Sequence, residues 1–188
     1  TGIAFIDATS LVVCHNRRIH SHKVFKQVAR RGKTSMGWFY GFKLHLVVND
    51  RGELLAFRIT PGNVDDRAPV PDLTQGLTGK LIGDRGYISS QLFHILWERG
   101  LHLVTKIRKN MHNKLMPLVD KLLLRKRAII ETINDQIKNI QQIEHTRHRS
   151  VVNAMVNVLA GLVAYTHQPC KPSLNLSQNE LKLLPCED

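Results

Sequence analysis

The stretch Ile3-Ala4-Phe5-Ile6-Asp7-Ala8-Thr9-Ser10-Leu11-Val12-Val13 decides how the rest of the chain is read. Its apolar and β-branched side chains favour an extended, half-buried backbone and predict a central strand. Asp7 stands in the middle of it, between Ile6 and Ala8. A carboxylate is unfavourable there and costly to bury unpaired, so it needs a compensating partner. A structural hydrogen bond or a bound cation would each supply one.

Outward from this strand, Phe42, Leu44, Leu46 and Val48 alternate with Lys43 and His45, and Leu55, Phe57 and Ile59 alternate again beyond Asn49-Asp50-Arg51-Gly52. That pattern predicts a β-hairpin. The basic stretch 15–33 before it reads as irregular or briefly helical. After Pro61-Gly62, Asp65 or Asp66 is placed to cap a short helix reaching Leu73, and residues 80–83 predict a short strand ending at Asp84. Ser89 or Ser90 caps a helix to Arg99, Gly100 stops it, and residues 101–107 read as a further strand.

Pro117 opens a long helical region over 118–144, in which Leu122, Ile129, Ile133, Ile137 and Ile140 recur at helical spacing. A second helix is expected from Ser150 to Tyr165. The order predicts an α/β fold, a mixed five-stranded sheet whose first three strands are antiparallel and whose later strands are parallel, flanked by helices.

Composition narrows the function. The chain has 188 residues, 43% of them hydrophobic, and 27 Lys and Arg against 15 Asp and Glu leave a net charge of +12. A core is affordable, and one domain is expected over 1–167 with a loose tail over 168–188, where Leu181, Leu183 and Leu184 are able to dock. The positive surplus attracts polyanions, of which nucleic acid is the commonest. Cys14, Cys170 and Cys186 form no paired spacing, and Cys14, His15, His20 and His22 match no zinc pattern, which fits a reducing cytosol. The most apolar run, 151–165, carries Asn153 and Asn157 and falls short of the roughly 20 residues a membrane span needs. No signal-peptide pattern precedes the first strand, and Thr1 opens directly onto it, as expected for a piece of a longer protein.

Two acids sit in telling places. Asp7 lies within the first strand and Asp84 at the carboxyl end of the fourth, so neighbouring strands would bring them together. Carboxylates in apolar strands imply a cation or shifted protonation, and oxygen-only ligands select magnesium or manganese. Glu131 lies almost opposite the Ile129-Ile133-Ile137 stripe if each residue turns the helix by about 100°, so it faces solvent or a cleft. Arg127, Asn134, Asp135 and Lys138 share its polar band. Each acid also has a plainer reading: Glu131 with Arg127 as an exposed helix pair, and Asp84 as a turn residue. Arg17, Arg18, Lys23, Lys26, Arg30, Arg31 and Lys33 either hold a DNA backbone or form a solvated face. Trp38, Phe39 and Tyr40 either stack on a base or pack inward. His145 and His148 either bond near the acids or favour a helix end as cations.

Taken together, Phe5-Ile6-Asp7-Ala8-Thr9, Gly41-Phe42-Lys43-Leu44-His45, Thr60-Pro61-Gly62-Asn63-Val64-Asp65-Asp66 and Ile82-Gly83-Asp84-Arg85-Gly86-Tyr87 resemble the catalytic domain of bacterial insertion-sequence transposases of the DDE superfamily. The likeness runs from Ile3 to Tyr165. Arg127, Glu131 and Lys138 are similar to the family's helical signature, with Leu124 where its tyrosine usually stands, and Ile143-Glu144-His145-Thr146-Arg147-His148-Arg149 resembles one subgroup.

The resemblance implies a ribonuclease H-like fold and a catalytic, metal-binding triad of Asp7, Asp84 and Glu131. It implies two Mg2+ or Mn2+ ions, and Arg127 and Lys138 as DNA contacts beside Arg17, Arg18 and Lys33; Asp65 and Asp66 are not carried over as ligands. The implied activity is cleavage at transposon ends and transfer of a 3′-hydroxyl into target DNA. The implied setting is a homo-oligomer on double-stranded DNA in the bacterial cytoplasm, at the nucleoid, with no membrane and with a recognition domain upstream. A nuclease that cuts without joining, and an inactive basic DNA-binding relative, are the alternatives.

Overall fold

The computed structural model describes residues 2–107, 115–144, 148–174 and 180. His145, Leu181, Leu183, Leu184 and Cys186 lie outside the described residues. The expected first strand is β1 (Ile3–Cys14), and the hairpin is β3 (Gly37–Asn49) with β4 (Leu54–Pro61). The two later strands are β5 (Gly79–Gly83) and β6 (Leu101–Thr105). β3 runs antiparallel to β1 with Asp7 opposite Leu46, while β5 is parallel to β1 and β6 to β5. The α/β class and the switch from antiparallel to parallel pairing are as expected.

Among the described residues the sheet has six strands where five were expected. The additional one, β2 (Arg30–Thr34), comes from the basic stretch read as irregular. β3 is 13 residues long and β4 only 8, so β4 covers Phe42 to Val48 and leaves Gly37 to Gly41 bare on that edge. β2 pairs with that remainder. Unpaired backbone groups at a sheet edge are costly when buried, and this outweighs the weak strand preference of a basic segment.

Alternation along β1 feeds two cores, because successive strand residues point to opposite faces. Phe5 joins Leu44, Leu46, Ile130, Ile133, Val158 and Tyr165 on one face. Ile6 joins Val47, Leu81, Val70, Leu92 and Leu96 on the other. The helices are α1 (Val70–Leu73), α2 (Ser90–Trp97), α3 (Leu118–Lys126), α4 (Ala128–Asn139) and α5 (Val151–Thr166).

The Ser89 hydroxyl caps α2 by accepting from the Leu92 N–H. Neither Asp65 nor Asp66 caps α1. Asp65 instead accepts from the backbone and guanidinium of Arg67, which closes a turn before the helix starts. The single long helix expected over 118–144 is interrupted at Arg127 and ends at Asn139. Gln142 then adopts left-handed backbone (φ 49°), which returns Ile143 to the core. Ile143 approaches so closely that a Cβ on Gly161 of α5 would strike it. No described helix is long and apolar enough to cross a membrane.

Candidate active site

β5 pairs with β1 only at Ile3, Ala4 and Phe5. Beyond the carboxyl end of β5 the edge of β1 has no neighbouring strand, and a cleft of about 320 Å³ opens there. Crevices outside the carboxyl ends of parallel strands are where α/β sheets bind ligands. Asp7, Ala8 and Ser10 of β1 line this one, with Asp84, Gly86 and Tyr87 from the end of β5, Lys43 of β3, and Asp66. The β2–β3 turn contributes Lys33, Thr34 and Ser35.

Asp84 follows β5 directly and closes a short 3-10 turn (Arg85–Tyr87) by accepting the Arg85 N–H at 2.6 Å. It is therefore a turn residue and a cleft residue at once. Asp7 retains 22% side-chain exposure. Its Oδ2 accepts from Asn134 Nδ2 of α4 at 2.9 Å, and its Oδ1 lies 3.7 Å from Arg127 Nη1. Burial pushes the Asp7 carboxyl up to about 6; Arg127 and the Ala8 backbone N–H oppose the rise, while Glu131 and Asp84 add to it.

Glu131 is 58% exposed and accepts from Arg127 Nη2 at 2.5 Å. The expected exposed helix pair thus exists, but its arginine also faces Asp7. One guanidinium stands between an acid of β1 and an acid of α4. Among the described residues no group of three or more His, Cys, Asp or Glu stands close enough to hold a metal ion, and this covers both the three acids and the residues around Cys14.

The basic residues divide. Lys33 lines the cleft, its ammonium 5.7 Å above the Trp38 ring. Arg17 and Arg18 are exposed in a 3-10 turn (Asn16–Arg18) after β1. Lys138 is not among the cleft residues. It pairs at 3.4 Å with Glu144, whose Oε1 accepts the Val12 N–H at 2.9 Å. Of the aromatic run, Phe39 and Tyr40 are buried and Trp38 is exposed.

Lys43, Asp66, Asn134 and Tyr87 belong to the site, and none of them was assigned a catalytic or binding role from the sequence. Lys43 donates to Asp66 Oδ1 at 2.8 Å and to the Val64 carbonyl at 2.9 Å, which brings into the cleft an acid set aside as a ligand. The available signal was a lysine within an apolar alternation. Asn134 lay in the polar band of Glu131. Tyr87 closes Gly83-Asp84-Arg85-Gly86-Tyr87; its hydroxyl is buried without a hydrogen-bond partner, and its ionisation is pushed well above the usual phenol range by burial and then by Asp7 and Asp66. Arg127 Nη1 and Asn134 Oδ1 are also buried without hydrogen-bond partners. All three belong to residues that interact with Asp7.

A mixed sheet with Asp7 within β1, Asp84 just past the end of the adjoining β5 and Glu131 on a flanking helix is the arrangement that the resemblance to DDE transposases implied. The chain matches the model of the transposase DDE domain family over residues 1–151 and belongs to that family. It is a transposase catalytic domain. No curated relative matches it.

Among solved structures, it is similar to the catalytic core domain of BIV integrase at a TM-score of 0.50 and 11% identity, covering 91% of this chain and 90% of that one. The piggyBac transposase synaptic complex with hairpin DNA gives 0.38 at 14% identity, covering 61% of this chain and 25% of that one. The simian T-cell lymphotropic virus intasome in complex with the PP2A regulatory subunit B56 gamma gives 0.40 at 13% identity, covering 99% and 58%.

Proposed function

We propose that this domain cuts phosphodiester bonds at the ends of a transposon and joins the freed 3′-hydroxyl to target DNA, as a homo-oligomer on double-stranded DNA at the nucleoid of a bacterial cytoplasm. Asp7, Asp84 and Glu131 are its catalytic acids. The observation that carries this reading is the convergence of Asp7 and Asp84 in one cleft, with Glu131 tied to Asp7 through Arg127.

As placed, the three acids do not stand close enough together to hold an ion among them, so the fit to divalent ions rests on donor chemistry. The donors are carboxylate oxygens, which suit Mg2+ or Mn2+, and Asp7 carries a burial cost that a cation would offset. Asp7 and Asp84, with Glu131 from the side, would hold two such ions. When bound, these supply a nucleophile activated near neutral pH and neutralise charge on the attacking and leaving oxygens.

The chain's own residues do the rest. Asn134 fixes the Asp7 carboxylate through its amide. Arg127 holds Glu131 against β1 and is within reach of a phosphate once that carboxylate turns away. Lys33 gives the cleft wall a positive charge for a DNA backbone, while the Lys43 ammonium is engaged by Asp66. The surplus of +12 makes that binding strong at low salt and steeply weaker as salt rises.

Two measurements test the proposal. Titration of Mn2+, followed by the electron paramagnetic resonance of the free ion, is expected to show binding that Asp7→Asn and Asp84→Asn each weaken by about 10- to 100-fold. On supercoiled plasmid carrying transposon ends, Asp84→Asn is expected to abolish cleavage and strand transfer while DNA affinity stays within about twofold, because no phosphate contact is removed. Undiminished cleavage by that variant overturns the assignment. Cleavage without joined products favours the nuclease reading.

A further inference from the structure

The β2–β3 hairpin borders the cleft and carries a feature that the phosphoryl-transfer chemistry leaves unused. In its register Lys33 pairs with Trp38, and Gly32 with Phe39. Phe39 is buried, and its ring occupies the space a Cβ on Gly32 would need, beside the Gly62 carbonyl. Asn16 Nδ2 donates to the Trp38 carbonyl at 2.7 Å. The Thr34 hydroxyl donates to the Gly37 carbonyl and accepts the Met36 N–H. The hairpin is therefore pinned at its base and closed at its tip.

On this fixed backbone the Trp38 side chain is turned outward. It is 62% exposed, and Met36 at the tip is 95% exposed. Lys33 stands over the indole, and Arg31 on the same strand is exposed. A large aromatic surface left in water is unfavourable, and the cations around it disfavour a basic or wholly apolar partner. A flat π face beside a negative charge satisfies both the ring and the ammonium, and an unpaired nucleobase with its phosphate has that chemistry. Apolar side chains such as Met also serve as wedges where base steps open. Lys33, Thr34 and Ser35 join this hairpin to the wall that holds Asp7 and Asp84.

We infer that Trp38 is a stacking platform for an unpaired base at a DNA end, with Lys33 taking the adjoining phosphate. The inference rests on the cleft being a DNA-processing site. Stacking is indifferent to base identity, so the platform selects strand ends that fray rather than a sequence.

The test exploits the chain's two tryptophans, Trp38 and Trp97. In a Trp97→Phe background, without divalent ions, the probes are a blunt duplex and the same duplex with a short unpaired 3′ overhang. The overhang is expected to quench Trp38 fluorescence and to bind about tenfold more tightly than the blunt form. Trp38→Ala is expected to bind both probes alike, with blunt-duplex affinity within about twofold of the parent, whereas Trp38→Phe keeps most of the preference because it keeps a ring. Equal quenching by both probes, or an undiminished preference in Trp38→Ala, overturns the platform. Metal-free binding separates the two proposals: lost cleavage with a retained overhang preference removes only the chemistry, and the reverse removes only the platform.

Discussion

β1 is one strand with two environments. Through Phe5 it is paired on both edges, and Ala4, Phe5 and Ile6 are buried in the two cores. From Asp7 to Ser10 it keeps β3 on one edge, faces the cleft, and is only partly buried. The change occurs within about two residues because β5 stops there. A carboxylate in mid-strand is tolerated where the adjoining strand ends beside it, since the gap admits polar partners that a continuous sheet would exclude.

Four predictions break or sharpen this contrast, taken from the largest effect to the smallest. Glu131 does not line the cleft but is joined to Asp7 through Arg127, so Glu131→Gln bears on the Asp7 half of β1 alone. Metal-dependent cleavage is expected to fall by about a hundredfold or more. Stability measured by urea unfolding should change by less than about 1 kcal/mol, because the pair with Arg127 is largely exposed. Loss of both together would make Glu131 a structural residue.

In the core half the balance reverses. Ile6→Ala removes a fully buried side chain and is expected to cost about 2–5 kcal/mol in urea unfolding. Ser10→Ala, four residues along the same strand, should stay within about 0.5 kcal/mol. Similar costs at the two positions would erase the distinction.

Asp7→Asn probes the boundary through pH. The folded-state value of about 6 lies above the ordinary aspartate value of 3.8, so the native state binds the proton more tightly than the unfolded chain. Well below pH 4 both states are protonated and the group imposes no ionic penalty. As pH rises through 6 the buried carboxyl must ionise, and stability is lost by up to about 3 kcal/mol. Without divalent ions, the asparagine variant is expected to melt higher than the parent at pH 7 and no higher well below pH 4. Added Mn2+ should raise the parent's melting temperature more than the variant's. Parallel melting profiles across this range would show that Asp7 bears no burial cost.

The smallest effect belongs to the exposed turn after β1. Arg17→Gln combined with Arg18→Gln should lower the slope of log affinity against log salt by about 1 per residue lost, with unchanged melting temperature. An unaltered slope would place DNA entirely on the cleft side of the hairpin.

Several elements were legible in the sequence because their signals are local. The alternation in β3 and β4, the Ser89 cap of α2 and the isoleucine stripe of α4 all follow from the side-chain periods of strand and helix. Asp7 stood out as a charge breaking an apolar strand, and Asp84 as an acid closing one. β2 was not legible: nothing in Arg30–Thr34 demands extension, and the strand exists because β3 outruns β4. Lys43 and Asp66 were hidden for a related reason, since their pairing depends on how the chain beyond β4 folds back over the sheet. Lys138 shows the converse, a position matched by spacing whose charge is engaged by Glu144.

The sequence by itself determined the strand and helix periods, the positive surplus and the placing of Asp7 within a strand and Asp84 at the end of one, because each depends on neighbours a few residues away. Tertiary structure alone decided where β5 stops against β1, which cations face which acids, and that Trp38 stays in water while Phe39 does not. Those outcomes depend on strand lengths and on contacts between distant segments, and no local pattern of residue types encodes them.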